Sequence, residues 1–300
     1  DVQEVLQPWL NKPITFDDLQ EACDAIEELY RRNGYLVHAV LPPQKVKDGV
    51  VAILITEAKL GAVIIEMPDG ESRFGIERAA SYITWANPQG QELDLKAISK
   101  AIVVLNETPG VSVTSAMEAG ANDGETNLRL ALKDTPWYGA SLEANNYGSK
   151  STGAAQGVIQ AALNNPFAYG DQLTANGIYS QGSAYTQMSY NFPLLPNGLR
   201  GGFSGTYLNY KNVPAYQANG GYGDAWTLSA SMAYPLIRAE EGNANLSLRY
   251  DSKTYLNFNM VTDTVSSSYR INNINLGLSG NRYDTFMGGA INNGQVSFVF

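Results

Sequence analysis

The sequence has almost none of the residues that build metal sites or disulfide frameworks. It contains one cysteine, Cys23, and one histidine, His38, among 300 residues. A single cysteine excludes an internal disulfide framework and a multi-cysteine metal site, and zinc has almost no nitrogen or sulfur ligands available. His38 lies in the apolar stretch VHAV, where no nucleophile–histidine–carboxylate triad can be assembled around it. The sequence therefore predicts that the protein is not an enzyme and that it uses no cofactor or metal.

Charged residues are also scarce, and most of them are acidic. Asp, Glu, Lys and Arg make up 16% of the chain, and the formal net charge is -9. This composition lacks the basic footprint of a nucleic-acid-binding protein, and no P-loop motif is present to bind a nucleotide. No run of 18 or more apolar residues occurs, so a transmembrane helix is not expected. No export signal begins at Asp1, so any such signal is expected to have been removed. A membrane protein of this composition is expected to be a β-barrel.

The first 134 residues hold most of the charges and all of the helical patterning. Apolar spacing predicts a helix over residues 14–33, which begins at a capping box of Thr15 and Asp18 and ends at Gly34. A shorter helix is predicted before it. The acid pair of Glu27 and Glu28 on this helix is interpreted as solvated. Further predicted elements are strands at 35–41, 50–56 and 62–66, helices at 72–84 and 93–106, and strands at 111–119 and 126–132. The order helix, helix, strand, strand therefore repeats, and a strand opens the second copy.

Beyond residue 134 the helical period gives way to alternation that continues to the C terminus. In the stretch AWTLSASMAYPL, large apolar residues alternate with Ser and Thr. An antiparallel sandwich would bury the apolar face, whereas a transmembrane barrel would turn it to lipid and the polar face to its lumen. Glu143, Arg249 and Asp251 lie on the polar face, and a dry core would not tolerate them. Aromatic residues near strand ends fit interfacial girdles. We therefore predict a barrel with these three charged residues facing the lumen.

The predicted domains are residues 1–60, 61–134 and 135–300. At roughly 18 residues per strand and turn, the last of these supplies about nine strands. Because bacterial barrels have an even number of strands, we expect the chain to contain the first part of a longer barrel. The alternative is that Phe300, which ends the alternating stretch QVSFVF, marks a closing strand.

Two segments resemble the TpsB family, the outer-membrane transporters of two-partner secretion. RRNGYLVHAVLPPQKVKDGVVAILITEAKLGAV is similar to the family's first polypeptide-transport-associated (POTRA) domain, and GDQLTANGIYSQGSAYTQMSYNFPLLPNGL is similar to its early barrel strands. The resemblance implies α+β POTRA repeats of order β-α-α-β-β, the first lacking its opening strand, followed by an antiparallel transmembrane β-barrel that is truncated here. The residues that carry the resemblance, predicted to be structural, are Arg32, Gly34, Pro42, Gln44, Gly170, Asp171, Tyr190 and Pro193.

The resemblance also implies a function. A TpsB transporter lies in the bacterial outer membrane with its POTRA domains in the periplasm, where it recognises one unfolded partner protein and secretes it through the barrel pore. An unfolded partner can add a strand to an exposed sheet edge, and residues 35–41 and 111–119 are the predicted edges. The predicted partner-binding residues are Tyr35, Val37, Val40, Leu41, Val111 and Val113.

Three alternatives remain open at this point. One is an insertase of the same superfamily, which folds other barrel proteins and usually has more POTRA repeats. The others are a passive porin and a barrel enzyme with unrelated periplasmic modules. Two repeats and the Pro-Pro-Gln segment favour secretion over insertion, and the absent catalytic constellation argues against an enzyme. The expected partners are therefore a secreted protein and the lipid bilayer, with neither nucleic acid nor nucleotide.

Overall fold

The computed structural model describes residues 1–47, 49–122, 124–239, 241–285 and 288–300. They form two compact units, which differ from the three predicted domains, so the predicted boundaries stay a prediction. The first unit comprises Asp1–Glu71, Ile76–Val103 and Val113–Lys133, and the second comprises Ser72–Gly75, Val104–Ser112 and Asp134–Phe300. Within the described residues, no helix combines the length and apolar character needed to cross a membrane.

The first POTRA-like module packs one long helix on a two-stranded sheet. Thr15 and Asp18 form the predicted capping box, in which each side chain bonds the other residue's backbone N–H at 2.6 and 3.2 Å. Gly34 ends the helix with φ +95°, which favours glycine. Cys23 and Ile26 on the helix form the core with Ala39 of the sheet. The elements are α1 (Val2–Leu6), a 3-10 helix (Gln7–Trp9), α2 (Phe16–Asn33), β1 (Val37–Val40) and β2 (Leu54–Glu57).

The strand predicted at residues 50–56 is shorter than expected, for a local reason. Ala52 bonds the side-chain amide of Gln44 through both its N–H and its C=O, each at 2.8 Å. Regular pairing with β1 therefore begins only at Leu54, which faces Val40. The proline pair before Gln44 has no N–H to donate, so the Gln44 side chain supplies the missing ladder bonds.

The second module has the predicted order strand, helix, helix, strand, strand. Its sheet has the order β3-β5-β4, so β5 is central and pairs in parallel with β3. Leu128, Leu130 and Leu132 of β5 are at most 1% exposed and form part of the core. The first helix begins at Ile76, later than predicted, because Gly75 has φ +86°. The elements are β3 (Lys59–Glu66), α3 (Ile76–Ala86), α4 (Leu95–Asn106), β4 (Val111–Ala119) and β5 (Glu125–Asp134).

The remainder of the chain is one antiparallel sheet whose nine described strands pair in chain order. The first and last strands lie at opposite ends of that order, so the sheet is open within the described residues. Long strands and tight turns follow directly from the alternating pattern and the Gly- and Asn-rich connections. The strands are β6 (Tyr138–Asn145), β7 (Gln156–Asn164), β8 (Gln172–Ser180), β9 (Ser183–Pro193), β10 (Arg200–Lys211), β11 (Gly221–Ala239), β12 (Gly242–Asn259), β13 (Val265–Asp284) and β14 (Ala290–Val299).

The two faces of this sheet differ in composition, and large side chains on the apolar face are exposed. Leu142, Ile159 and Leu228 on the apolar face are 83%, 56% and 66% exposed. Ser229, next to Leu228 but on the other face, is 8% exposed, and Asp251 directly opposite it is 6% exposed. A protein surrounded by water rarely leaves such a large apolar face uncovered. The arrangement is the one expected of a sheet that turns its apolar face to lipid.

Candidate functional site

The polar face of the sheet carries an ionic network centred on the buried Asp251. Ser229, Asp251 and Asn273 face one another across three adjacent strands. Asp251 Oδ1 accepts hydrogen bonds from Ser229 Oγ and from Arg249 Nε, both at 2.6 Å. Its Oδ2 lies 3.4 Å from Asn273 Nδ2 and 3.9 Å from Lys253 Nζ. The predicted polar-face residues Arg249 and Asp251 are therefore brought together, and the carboxylate holds two cations on one wall.

Glu143, the third predicted polar-face residue, lies far along the sheet on β6. Its Oε1 accepts a hydrogen bond from Asn145 Nδ2 at 2.6 Å, and it stands opposite Val158. The side chain is exposed and separate from the Asp251 network. The polar face therefore presents charge at both β6 and β12, with Gln160, Asn176 and Gln187 and other uncharged polar residues on the strands between them.

The turn between β7 and β8 is built around the predicted motif residue Asp171. Its carboxylate is completely buried, and Oδ1 accepts from the backbone N–H of Tyr169 at 3.2 Å and of Phe167 at 3.4 Å. Asn165, also completely buried, accepts from the Gly170 N–H at 2.7 Å. Together the two side chains replace the ladder bonds that this turn cannot make, so Asp171 fixes the conformation of the turn.

Gly170 is the tightest point of the same turn. Its φ is +74°, and a Cβ atom there would lie 2.4 Å from Thr108 Cγ2 and 2.9 Å from Phe74 Cε2. The Gly170 carbonyl accepts from Arg200 Nη2 at 2.8 Å. Thr108 and Phe74 belong to the same unit as the sheet. Only glycine therefore allows the turn to approach these segments.

Tyr190 and Pro193 lie on β9 near this turn. Tyr190 makes an edge-to-face contact with Phe167 at 6.0 Å and stacks on Phe192 at 5.4 Å, and Phe192 stacks in turn on Phe203. Pro193 pairs with Arg200 at the end of the strand, where a missing N–H is tolerated. The aromatic group forms a band at one end of the apolar face, as interfacial aromatic residues do in barrels.

The remaining motif residues shape the first module. Gly34 leaves room for Lys96, whose Cγ would lie 2.8 Å from a Cβ at this position. Arg32 Nε donates to Glu28 at 2.9 Å, and this bond, together with that of Arg31, holds the pKa of the Glu28 carboxyl below its ordinary value. Glu28 is therefore paired and not simply solvated. Pro42 precedes Gln44, whose ladder bonds are described above.

The β1 edge is partly closed by Glu27, a residue predicted from the sequence to be solvated. Glu27 Oε1 on α2 accepts the backbone N–H of Ala39 at 2.9 Å. That N–H is a donor that an added strand would use. Val37 is 2% exposed and belongs to the core, so its side chain is not available to a partner. The side chains of Tyr35 and Val40 are exposed, whereas Leu41 packs on the core.

The β4 edge is more open. β4 lies at the end of its three-stranded sheet, and the run from Thr114 to Met117 is exposed on both faces. Val111 and Val113 at the start of the strand are buried, at 4% and 5% exposure, so their side chains anchor the strand. Glu118 bonds inward to Arg129 of β5 at 2.9 Å. The exposed residues 114–117 of β4 are therefore all uncharged.

The architecture defines a class of protein: POTRA-type modules followed by an antiparallel sheet of the outer-membrane barrel kind. Residues 124–298, more than half of the chain, match the family described as haemolysin secretion/activation protein ShlB/FhaC/HecB, and residues 1–58 match the ShlB-type POTRA domain. The chain belongs to the ShlB/FhaC/HecB family, and the predicted resemblance is confirmed.

Individual relatives agree with this assignment. The heme/hemopexin transporter protein HuxB of Haemophilus influenzae (strain 86-028NP) is 27% identical over 93% of this chain and 49% of its own length. The outer membrane transporter CdiB of Escherichia coli O6:K15:H31 (strain 536 / UPEC) is 26% identical over 64% of this chain and 32% of its own length. The chain therefore spans at most about half the length of these curated relatives.

Solved structures show the same fold. CdiB from Escherichia coli superposes with a TM-score of 0.79 at 20% identity, over 100% of this chain and 56% of that one. BamA from Haemophilus ducreyi lacking POTRA domains 1-3 superposes with a TM-score of 0.54 at 15% identity, over 99% of this chain and 60% of that one. The predicted POTRA-plus-barrel-sheet fold is confirmed.

Proposed function

We propose that this chain is part of an outer-membrane transporter that binds a secreted partner protein in the periplasm and exports it through a β-barrel pore. The observation that carries the proposal is the division of the nine-stranded sheet into an exposed apolar face and a polar face with an ionic network around the buried Asp251. Lipid accommodates the first face, and a water-filled passage accommodates the second. Family membership supports secretion as the purpose of the passage.

Transport in this proposal includes no catalytic step by the chain. The polar face offers hydrogen bonds from Ser, Asn and Gln side chains, which suit a polypeptide in transit because they place no demand on its sequence. The likeness to BamA supports the shared fold alone, so it does not favour an insertase. A passive porin would share the faces of the sheet but would not need an edge that accepts a partner strand.

The β4 edge is the proposed entry point for the partner. Strand addition needs unpaired backbone groups without charged or proline gatekeepers, and residues 114–117 satisfy this requirement. The β1 edge is a weaker candidate because Glu27 already occupies the Ala39 N–H. An extended and unfolded partner would gain main-chain hydrogen bonds at β4 with little demand on its sequence.

Site-specific photo-crosslinking in living cells tests this proposal. The partner is first identified as the protein that disappears from the culture medium when the transporter gene is deleted. A photo-reactive residue at Ser115 or Met117 is expected to crosslink that protein. One at Trp85, which is 56% exposed on α3, serves as the control and is expected not to. Secretion without any adduct at β4, or equal adducts at Trp85, would contradict the entry point.

A further inference from the structure

Strand β11 contains a β-bulge near its C-terminal end. Pairing with β12 is regular as far as Pro235, which faces Asn245, and resumes with Ile237 facing Ala244. Leu236 is therefore the extra residue of the bulge. Leu236 and Ile237 are both exposed, at 42% and 54%, as expected when a bulge places consecutive side chains on one face.

The bulge changes the face on which Arg238 lies. In β11, even-numbered residues such as Leu228 and Met232 lie on the apolar face. Strict alternation would have placed Arg238 with them. The extra residue shifts the parity by one, so Arg238 pairs with Asn243 and lies on the polar face. Bulges at barrel rims commonly redirect a side chain in this way.

Redirected, the Arg238 guanidinium is almost completely enclosed. Its side chain is 10% exposed, and Nε donates to Glu107 Oε1 at 2.7 Å. Nη2 donates to Asn245 Oδ1 at 2.7 Å, and Nη1 donates to the Ile237 carbonyl at 2.9 Å. The planar fork of arginine suits this set of acceptors, and lysine would not satisfy them all.

The Arg238–Glu107 pair lies at the wall of a polar cavity of about 560 Å³. The other residues that line it are uncharged: Asn243, Asn245, Ser279, Gly280, Asn281, Asn293, Gly294 and Gln295. No second ion pair from the lining competes with this one. Because the Arg238 side chain is only 10% exposed, water screens its attraction to Glu107 less than it screens a pair in which both side chains are exposed.

Close packing holds the same segment on either side of Glu107. A Cβ at Gly198 would lie 2.5 Å from Pro235 Cγ and 3.1 Å from Val104 Cγ1, so Pro235, which precedes the bulge, and Val104 share one tight contact region. On the other side, a Cβ at Gly110 would lie 2.7 Å from Asn165 Cβ. Residues 104–112 all belong to the same unit as β11.

We propose that Arg238 is a positioning residue, placed by the β11 bulge to anchor the turn between α4 and β4 through Glu107. β4 begins at Val111, four residues beyond Glu107. The anchor therefore fixes the start of the strand whose edge accepts the partner. This consequence for secretion rests on the proposed function, whereas the anchoring contact stands on the geometry.

Hydrogen exchange on the intact protein in lipid nanodiscs tests the anchor. Glu107→Gln is the primary variant, because it removes the charge at constant shape and leaves the other bonds of Arg238 in place. It is expected to speed amide exchange in residues 104–112 by about tenfold, because a charge-assisted bond is lost. Arg238→Lys is expected to have a similar effect. Arg282→Met is the control. It removes an exposed arginine near the C-terminal end of β13, and it is expected to leave amide exchange in residues 104–112 unchanged.

Secretion of the partner is measured in parallel, with heat-modifiable gel mobility showing that the barrel is formed. Glu107→Gln is expected to lower secretion while gel mobility is unchanged. Unaltered exchange in residues 104–112 would overturn the anchor itself. Faster exchange with normal secretion would overturn its role in transport and leave the contact in place. Loss of secretion in both Glu107→Gln and Arg282→Met, without a change in exchange, would also overturn the proposal.

Discussion

At the residue scale, the second unit depends on a few positions that permit close approach. Gly170 has φ +74° and no room for a methyl group beside Thr108 and Phe74. Gly75, in the same unit, has φ +86° but nothing within 4 Å of its Cβ position. The two glycines therefore separate the cost of backbone conformation from the cost of a steric clash.

Gly170→Ala is expected to destabilise the protein by about 3 kcal/mol or more, through left-handed backbone strain and overpacking. Gly75→Ala, the matched control, is expected to cost about 1 kcal/mol because only the backbone term applies. Urea unfolding in lipid measures the free energy of unfolding of both variants. Thr108→Ser removes the clashing methyl and is expected to restore part of the loss in the Gly170→Ala background. Equal effects of the two alanines would contradict the close approach.

Asp251 is the residue on which the ionic network depends. Asp251→Asn keeps the shape of the side chain but leaves Arg249 and Lys253 without their carboxylate, so it is expected to cost about 1–3 kcal/mol of unfolding free energy. Glu143→Gln changes an exposed polar-face carboxylate and is expected to stay within about 0.5 kcal/mol. The same unfolding assay compares the two variants. An equal loss of unfolding free energy in Glu143→Gln and Asp251→Asn would contradict a stabilising role for the Asp251 network.

At the element scale, the two POTRA edges are distinguished by contacts that sequence patterns do not contain. The helices could be predicted because caps and apolar spacing are local, as at Thr15, Asp18 and Gly34. The Glu27 carboxylate on the Ala39 N–H joins residues 12 positions apart, and nothing in the pattern distinguishes Glu27 from Glu28. The Arg238–Glu107 pair joins residues 131 positions apart and depends on a bulge that interrupts the alternation. Because these contacts are long-range, the sequence predicts the strands but not which backbone groups at the strand edges are already bonded or which side chains hold the edges in place.

Glu57, the last residue of β2, and Glu92, in the connection between α3 and α4, form a carboxyl pair that makes the first unit sensitive to pH. A side-chain hydrogen bond with the Glu92 carboxyl and the repulsion between two like charges raise the pKa of Glu57 above its ordinary value of 4.5. A raised pKa means that the folded state favours the protonated form. The associated stabilisation is therefore present at low pH and is lost as the pH rises through the folded-state pKa.

Glu57→Gln is expected to flatten this dependence, so that hydrogen exchange of Leu128, Leu130 and Leu132 slows relative to the wild type at neutral pH and differs little under acidic conditions. Glu21→Gln, an exposed change on α2, is the control. A pH profile of exchange measures the effect on the intact protein. A Glu57→Gln profile parallel to that of the wild type would exclude the pair as its cause.

At the scale of the whole molecule, the sequence predicted the fold class because alternation persists over the last 166 residues and because the motifs of the first module are local. The register, which decides which side chains meet, could not be read from alternation alone. Asp251, Ser229 and Asn273 are all polar in sequence, yet only pairing across three strands shows that they form one network. The polar face therefore contains a specific network of side chains that is joined across neighbouring strands.

We propose that a partner protein passes along the polar face of the sheet while the apolar face contacts lipid. Photo-crosslinking in cells with the partner stalled in transit tests this, with a photo-reactive residue at Thr206, which pairs with Thr227 on the polar face, or at Leu228 on the apolar face. Adducts with the partner are expected from Thr206, and adducts with lipid alone are expected from Leu228. Adducts with the partner from Leu228, or secretion that proceeds with none from Thr206, would contradict the proposal.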